Sequence, residues 1–216
     1  MQINNPSYAH ISGELKKYYR NNHTVIDAGC GQNEFKNIYN GKIIGLNLTF
    51  NKQADFVADG QALPIKDSSA DIILSNFVLE HVDNEHEYLL ELRRALRNDG
   101  KIILSVPITF WYVAHLMLPH TWHDIAKNFR KFLHAPLRFL THGHPHKHNF
   151  LYEFFEWAPK NYEKMFAKAG LRVIKRTKTC DFFSLNTHLA KIFGKMRFPE
   201  FLNIQITYVL EKAELL

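Results

Sequence analysis

Short runs of apolar residues recur through the first half of the chain, and helical stretches separate them. The runs are apolar almost throughout, which is typical of strands that are covered on both faces. They lie at Thr24–Ala28, Lys42–Leu48, Asp55–Ala58, Asp71–Ser75 and Lys101–Val106. Because strands that alternate with helices form βαβ units, this pattern predicts a doubly wound α/β fold around a mostly parallel sheet.

The second half of the chain adds two helices and two strands to this prediction. Residues Asp83–Asn98 carry apolar side chains at helical spacing, and Gly100 is expected to cap the carboxyl end of that helix. An amphipathic helix is predicted at Ala158–Ala169, closed by Gly170. Two further strands complete a predicted sheet of seven, at Leu171–Arg176 and Asn203–Glu211.

Residues 108–150 interrupt this alternation, since they are rich in aromatic, histidine and basic side chains. We expect a mostly helical insertion after the fifth strand. The carboxyl end of that strand opens on the edge of the sheet where ligands bind in such folds. The insertion is therefore well placed to form a lid, within one domain that comprises all 216 residues.

Composition narrows the function classes only slightly. The net charge of +6 permits anionic partners, such as nucleic acid or a membrane surface, but it also suits an ordinary basic protein. Cys30 and Cys180 match no metal or redox spacing, so free thiols in a reducing compartment are expected. The first residues do not resemble a signal peptide, and the most apolar run, Ile108–Pro119, is shorter than the ~20 residues of a membrane-spanning helix. We expect a soluble, cytoplasmic protein.

The segment from Val25 to Asn33 is the strongest indication of a ligand site. The first strand carries Asp27 close to its end, and Gly29 and Gly31 then allow a tight turn and a close approach of the backbone to a ligand. A dinucleotide site would need a third glycine at position 34, where Glu34 would repel a pyrophosphate. Asp27 suits a ligand that carries an ammonium group. The alternative is that the glycines serve only a tight turn.

Polar residues follow the next two strands at the same predicted edge of the sheet. Asn47 ends the second strand twenty residues after Asp27, where a ribose-binding side chain is expected in such folds. The third strand leads into Asp59-Gly60-Gln61, and Asp59 can accept a hydrogen bond from an adenine amino group. The alternative is that Asp59 only caps its own loop.

Four successive segments resemble the motifs of the class I S-adenosylmethionine-dependent methyltransferases. They are DAGCG at 27–31, ADGQALP at 58–64, ADIILSNFVLEHV at 70–82 and LRRALRNDGKIILSVP at 92–107. The most similar group is the small-molecule branch that has a Leu-Glu-His-Val segment after the fourth strand. The resemblance extends from about Thr24 to Pro107, and more loosely from Trp157 to Arg176.

This resemblance implies a Rossmann-like sheet, S-adenosylmethionine as the cofactor and methyl transfer as the activity. It also implies roles for individual residues. Asp27, Gly29 and Gly31 would hold the methionine part, Asn47 the ribose, and Asp59 with Gly60 and Gln61 the adenine. Asn76 would lie beside the reacting sulfonium, and Cys30 and Leu48 are further candidates for contact with the cofactor.

Two positions depart from the family pattern. The family usually has an acid at the position of Asn47 and often a glycine at the position of Asn33. Asparagine tolerates positive φ better than most residues, so Asn33 is a mild change. An amide accepts from only one ribose hydroxyl where a carboxylate accepts from both. Asn47 therefore predicts weaker cofactor binding.

Two histidines are candidates for a catalytic base, which is needed only if the acceptor must lose a proton. His81 follows the fourth strand near the expected methyl donor, although it can equally pack or cap the next helix. His148 lies where the insertion rejoins the fold, with Tyr152 nearby. The alternating histidines of THGHPHKHN, at 141–149, include a glycine and a proline that favour a loop, so no metal site is predicted.

Three function classes follow from these motifs. An apolar stretch, Trp111–Leu118, and a basic amphipathic stretch, Lys127–Phe139, favour a small or lipid-linked acceptor with peripheral contact to anionic membrane, unless both simply pack on the core. An RNA methyltransferase is less favoured, because Ser75-Asn76-Phe77-Val78 lacks the two prolines of enzymes that methylate exocyclic amines of bases. The substitutions at Asn47 and Asn33 motivate the third class, a non-catalytic member that binds cofactor or a partner.

Overall fold

The helices and strands follow the apolar runs of the sequence. The computed structural model describes residues 6–39, 42–108, 158–181 and 203–214. Its strands are β1 (Thr24–Ala28), β2 (Lys42–Asn47), β3 (Phe56–Val57), β4 (Ala70–Asn76), β5 (Leu96–Pro107), β6 (Leu171–Asp181) and β7 (Asn203–Lys212). Its helices are α1 (Pro6–Tyr18), α2 (Glu34–Ile38), α3 (Glu85–Ala95), α4 (Pro159–Lys168) and a 3₁₀ helix (Leu79–His81).

The strands form one seven-stranded sheet in the order β3-β2-β1-β4-β5-β7-β6. Strand β1 pairs in parallel with β2 on one side and β4 on the other, so that Asp27 lies opposite Gly45 and Leu74. Strands β2 and β3, and β4 and β5, are also parallel pairs. The predicted α/β sheet is confirmed. The winding reverses between β1 and β4, which is the place where open α/β sheets bind ligands.

Helices cover both faces of the central strands. Leu74 packs in a buried cluster with Ile11 of α1 and Phe35 of α2. The next residue along β4, Ser75, points to the opposite face, where its hydroxyl lies 2.9 Å from the hydroxyl of Tyr88 in α3. The alternation along β4 therefore joins α1 and α2 to one face and α3 to the other, as in a doubly wound fold.

The expected role of Gly100 is wrong. Helix α3 already ends at Ala95, and Leu96 adopts an extended conformation that begins β5 and pairs with Ala70. Gly100 lies within β5, where a Cβ atom would come within 2.9 Å of the Asp71 carbonyl oxygen. The other predicted cap is confirmed, because Gly170 follows α4 with a φ of +68°.

The chain divides into two compact units. The first comprises Met1–Val106, Glu163–Thr177 and Thr207–Leu216, and the second comprises Pro107–Tyr162 and Lys178–Ile206. In the second unit the Tyr162 hydroxyl donates to the Pro107 carbonyl oxygen at 3.1 Å. The insertion predicted at 108–150 lies outside the described residues from 109 onward and stays a prediction. None of the described helices has the length and apolar character to cross a membrane.

Candidate functional site

The turn after β1 has the backbone geometry that its glycines predict. Gly29 and Gly31 have φ angles of +88° and +49°, and Asn33 shares this left-handed region at +54°. A Cβ atom on Gly29 would overlap the side chain of Val78, which follows β4. The turn is therefore packed directly against the end of β4 and requires glycine at position 29.

Asp27 lies at the centre of this edge with its carboxylate out of contact with water. The residue is 1% exposed, and neither carboxylate oxygen has a hydrogen-bond partner in the described part of the chain. Burial raises the pKa of Asp27 to about 7. Buried polar groups are almost always paired, so this carboxylate fits a site in which a ligand supplies the partner, as an ammonium group would.

The end of β2 presents an amide and an apolar side chain. The Asn47 amide nitrogen donates to the Thr49 carbonyl oxygen at 3.1 Å and to its hydroxyl at 3.3 Å. The amide oxygen of Asn47 is the atom left to accept a hydrogen bond from a ligand hydroxyl. Leu48, the next residue, is 67% exposed.

The segment after β3 forms a tight turn that closes on α3. Asp59 caps this turn, because its Oδ1 accepts from the Gln61 backbone at 2.8 Å, and the Gln61 side-chain oxygen accepts from the Asn84 backbone at 2.7 Å. Gly60 lies against the ring of Tyr88, where a Cβ atom would come within 2.5 Å of Cε2. Asp59 thus performs the capping role that the sequence left open, and its second carboxylate oxygen accepts a long hydrogen bond from the Gln61 side-chain amide at 3.5 Å.

These segments enclose a cavity of about 310 Å³. Seven of the predicted site residues line it: Gly29, Asn47, Leu48, Asp59, Gly60, Gln61 and His81. The other described candidates, Asp27, Cys30, Gly31 and Asn76, do not line the cavity but lie beside it, on or next to β1 and β4. His81 is exposed at the end of the 3₁₀ helix. His148 and Tyr152 lie outside the described residues.

Comparison with known proteins gives the family. The family model described as "Methyltransferase domain" matches residues 26–104, which begin within β1 and end within β5. The matched residues form a methyltransferase domain, and they resemble the class I S-adenosylmethionine-dependent methyltransferases. The resemblance drawn from the four motifs is confirmed, and it implies S-adenosylmethionine as the cofactor.

Known proteins are similar to this chain in fold or over part of the sequence. The fold superposes on a S-adenosylmethionine-dependent methyltransferase of Thermotoga maritima with a TM-score of 0.59 at 18% identity, over 95% of this chain and 89% of the other. A malonyl-[acyl-carrier protein] O-methyltransferase of Hamiltonella defensa is 31% identical over 108 residues, 44% of this chain and 40% of the relative. An uncharacterized protein of Methanocaldococcus jannaschii is 36% identical over 108 residues, 46% and 48% of the two. The matches in sequence thus span less than half of the length of these two relatives.

The donor set of the site fits the family's cofactor. The amide of Asn47 and the polar turn at Asp59 line one cavity, and the unpartnered carboxylate of Asp27 lies next to it, beside Ala28 and Gly29 of the lining. Asn33 takes the left-handed conformation that the family's glycine would take, and its amide nitrogen donates to the Gln53 carbonyl oxygen at 2.7 Å. In the described ranges, no group of histidine, cysteine and acidic side chains could hold a metal ion.

Sequence reasoning missed several residues of this methyltransferase site. Tyr88 and Val78 line the cavity, but the sequence indicated only a helical apolar face for Tyr88 and no role for Val78. Phe77 lines it with a φ of +56°, which nothing in the sequence signals. Glu80 is 9% exposed, one of its oxygens has no partner among the described residues, and burial raises its pKa to about 8. Glu80 does not line the cavity.

Cys30 does not have the character of a nucleophile. Its side chain is buried, and this burial raises the pKa of the thiol to about 11. A thiol with this pKa stays protonated at neutral pH and is weakly reactive. Cys30 therefore shapes the turn between β1 and α2.

Proposed function

We propose that this protein moves a methyl group from S-adenosylmethionine to a small or lipid-linked acceptor by in-line displacement. The observation that carries the proposal is the carboxylate of Asp27, which is fully buried and lacks a partner in the described part of the chain. A soluble scaffold gains no stability from such a group. The ammonium group of a ligand at this position would supply the partner that the Asp27 carboxylate lacks.

The other site residues would bind the rest of the nucleoside. The Asn47 amide oxygen would accept from one ribose hydroxyl, and the turn Asp59-Gly60-Gln61 would hold the adenine. Asn76, at the end of β4, would lie beside the reacting centre. Bound S-adenosylmethionine supplies a methyl group already activated on a sulfonium. The contribution of the protein is then alignment of the acceptor and exclusion of water.

Proton removal is needed only for some acceptors. His81 lines the cavity and is exposed, so its side chain can take a proton from a hydroxyl or amine acceptor. His148 remains the second candidate for this role. An acceptor that is already ionised, such as a carboxylate, would need neither histidine.

The charge of the chain and one relative support an anionic or acyl-linked acceptor. The relative from Hamiltonella defensa is named for methylation of a malonyl group on an acyl carrier protein. The net charge of +6 favours approach to such anionic acceptors, and the basic stretch Lys127–Phe139 supports peripheral contact with anionic membrane. We propose that the protein acts in the cytoplasm.

The test uses the purified protein with S-adenosylmethionine that carries a labelled methyl group. The protein is incubated with cell extract separated into small-molecule, lipid, acyl-carrier and RNA fractions. We expect label in one of the first three fractions and none with Asp27→Asn. Label in RNA would show a nucleic-acid methyltransferase. Cofactor binding without label in any fraction would show a non-catalytic member.

A further inference from the structure

Two hydroxyl groups in the first turn of α1 contact the end of β4, at the edge of the sheet where the cofactor is proposed to bind. The Ser7 hydroxyl donates to the side-chain oxygen of Asn76, at the end of β4, at 2.7 Å. The same Asn76 side chain also forms a hydrogen bond with the Tyr8 hydroxyl. Asn76 therefore joins neighbouring hydroxyls of α1 to the site, although α1 lies outside the region of family resemblance.

The Tyr8 hydroxyl also lies near the β1 turn and the Asp27 carboxylate. A Cβ atom built on Gly31 would lie 3.9 Å from the Tyr8 hydroxyl oxygen. Burial and the nearby Asp27 charge together raise the pKa of Tyr8 above its ordinary value. The hydroxyl stays protonated at neutral pH and can donate a hydrogen bond.

The ring of Tyr8 is held in place by aromatic and apolar contacts. Its centroid lies 5.1 Å from that of Phe35 in α2, and it packs against the buried cluster that includes Ile11 and Val25. A hydroxyl on a fixed ring loses little conformational entropy when it binds a ligand. The donor is therefore preorganised.

A carboxylate and a hydroxyl donor beside the same turn complement the two charges of an α-amino acid. Asp27 attracts the ammonium group, and the Tyr8 hydroxyl can donate to the carboxylate group. We propose that Tyr8 of α1 binds the amino-acid end of the cofactor, opposite Asp27. This inference rests on the proposed function, because it names a further residue that binds the same cofactor.

Two ligands that differ only at the amino-acid end test the inference. S-adenosylhomocysteine has the amino acid, and 5′-methylthioadenosine has the same nucleoside without it. We expect Tyr8→Phe to weaken the binding of S-adenosylhomocysteine about tenfold, the effect of one lost hydrogen bond to a charged group. Binding of 5′-methylthioadenosine should be unchanged, which also shows that the variant is folded.

Tyr39→Phe is the matched control. The Tyr39 hydroxyl lies 2.9 Å from the Ser12 hydroxyl and donates to the Ser12 carbonyl oxygen at 2.8 Å, so it also holds α1. Tyr39→Phe should leave the affinity for both ligands unchanged. An equal loss in both variants, an equal loss for both ligands with Tyr8→Phe, or no loss at all would overturn the role of Tyr8. If the unaltered protein binds neither ligand, the proposed function fails as well.

Discussion

The buried carboxylate of Asp27 lowers the stability of the protein when it is ionised, although the same charge would favour the binding of an ammonium group. Its ordinary pKa of 3.8 rises to about 7 in the folded protein because the carboxylate is buried. Between these values the folded protein holds a proton that the unfolded chain has released. As far as Asp27 decides it, the free energy of unfolding is therefore highest below pH 4 and falls as the pH rises to about 7, because the folded state opposes ionisation of this group.

Asp27→Asn should stabilise the protein at alkaline pH and impair its binding. We expect the free energy of unfolding at pH 8 to rise by up to about 4 kcal/mol, because an amide has no ionised form to desolvate. The gain should shrink towards pH 4. Urea unfolding of both proteins at pH 4.5 and pH 8 measures this difference, and the comparison cancels the similar effect of Glu80. An equal gain at both pH values would contradict a titrating Asp27.

A substitution at Asn47 should have the opposite effect on binding, because it should strengthen the binding of the cofactor. Asn47→Asp restores an acceptor for both ribose hydroxyls, at the expense of the hydrogen bonds that the amide donates to Thr49. A charge-assisted hydrogen bond adds about 1 kcal/mol over a neutral one, so the affinity for S-adenosylhomocysteine should rise several-fold. Calorimetry measures this change. No gain in affinity would count against Asn47 as the ribose ligand.

At the scale of elements, the turn between β1 and α2 packs so closely against the end of β4 that it leaves no room for an added methyl group at Gly29. Gly29 has a left-handed conformation, and its missing Cβ leaves room for Val78. Gly13 in α1 has no other atom within 4 Å of a Cβ position and is exposed. The two glycines therefore have different reasons to be present.

Gly29→Ala should destabilise the protein by about 2–4 kcal/mol, since it combines backbone strain with a steric overlap. Gly13→Ala should stabilise it by about 0.5–1 kcal/mol, because alanine is the better helix former. Thermal unfolding of both variants measures the contrast. Equal effects of the two substitutions would show that the turn is not packed against Val78 as described.

At the scale of the molecule, the cofactor cavity should couple ligand binding to unfolding. A ligand at a hundred times its dissociation constant stabilises the state that binds it by about 2.7 kcal/mol. For a chain of this size, that corresponds to a rise in Tm of roughly 5–10 °C. S-adenosylhomocysteine should produce this shift and NAD should not, because Glu34 stands where a dinucleotide site needs glycine. A larger shift with NAD would contradict the family's ligand chemistry for this site.

The sequence by itself determined the sheet and the positions of its ligand-binding turns. Apolar runs bounded by glycine and polar residues are local patterns, and the seven strands and the closure of α4 by Gly170 followed from them. Local patterns also placed Asn47 and Asp59 at one edge, because parallel strands end on the same side of a sheet.

Only the tertiary structure decided what surrounds each of these residues. Gly100 entered a strand because Leu96 pairs with Ala70, a contact between distant segments that no helix-capping rule contains. The pKa of Asp27 depends on the removal of water by several elements at once. The approach of Tyr8 to Asp27 depends on how α1 packs across the sheet. Burial and the distances between side chains depend on contacts throughout the fold. The chemistry of the site could therefore be determined only from the tertiary structure.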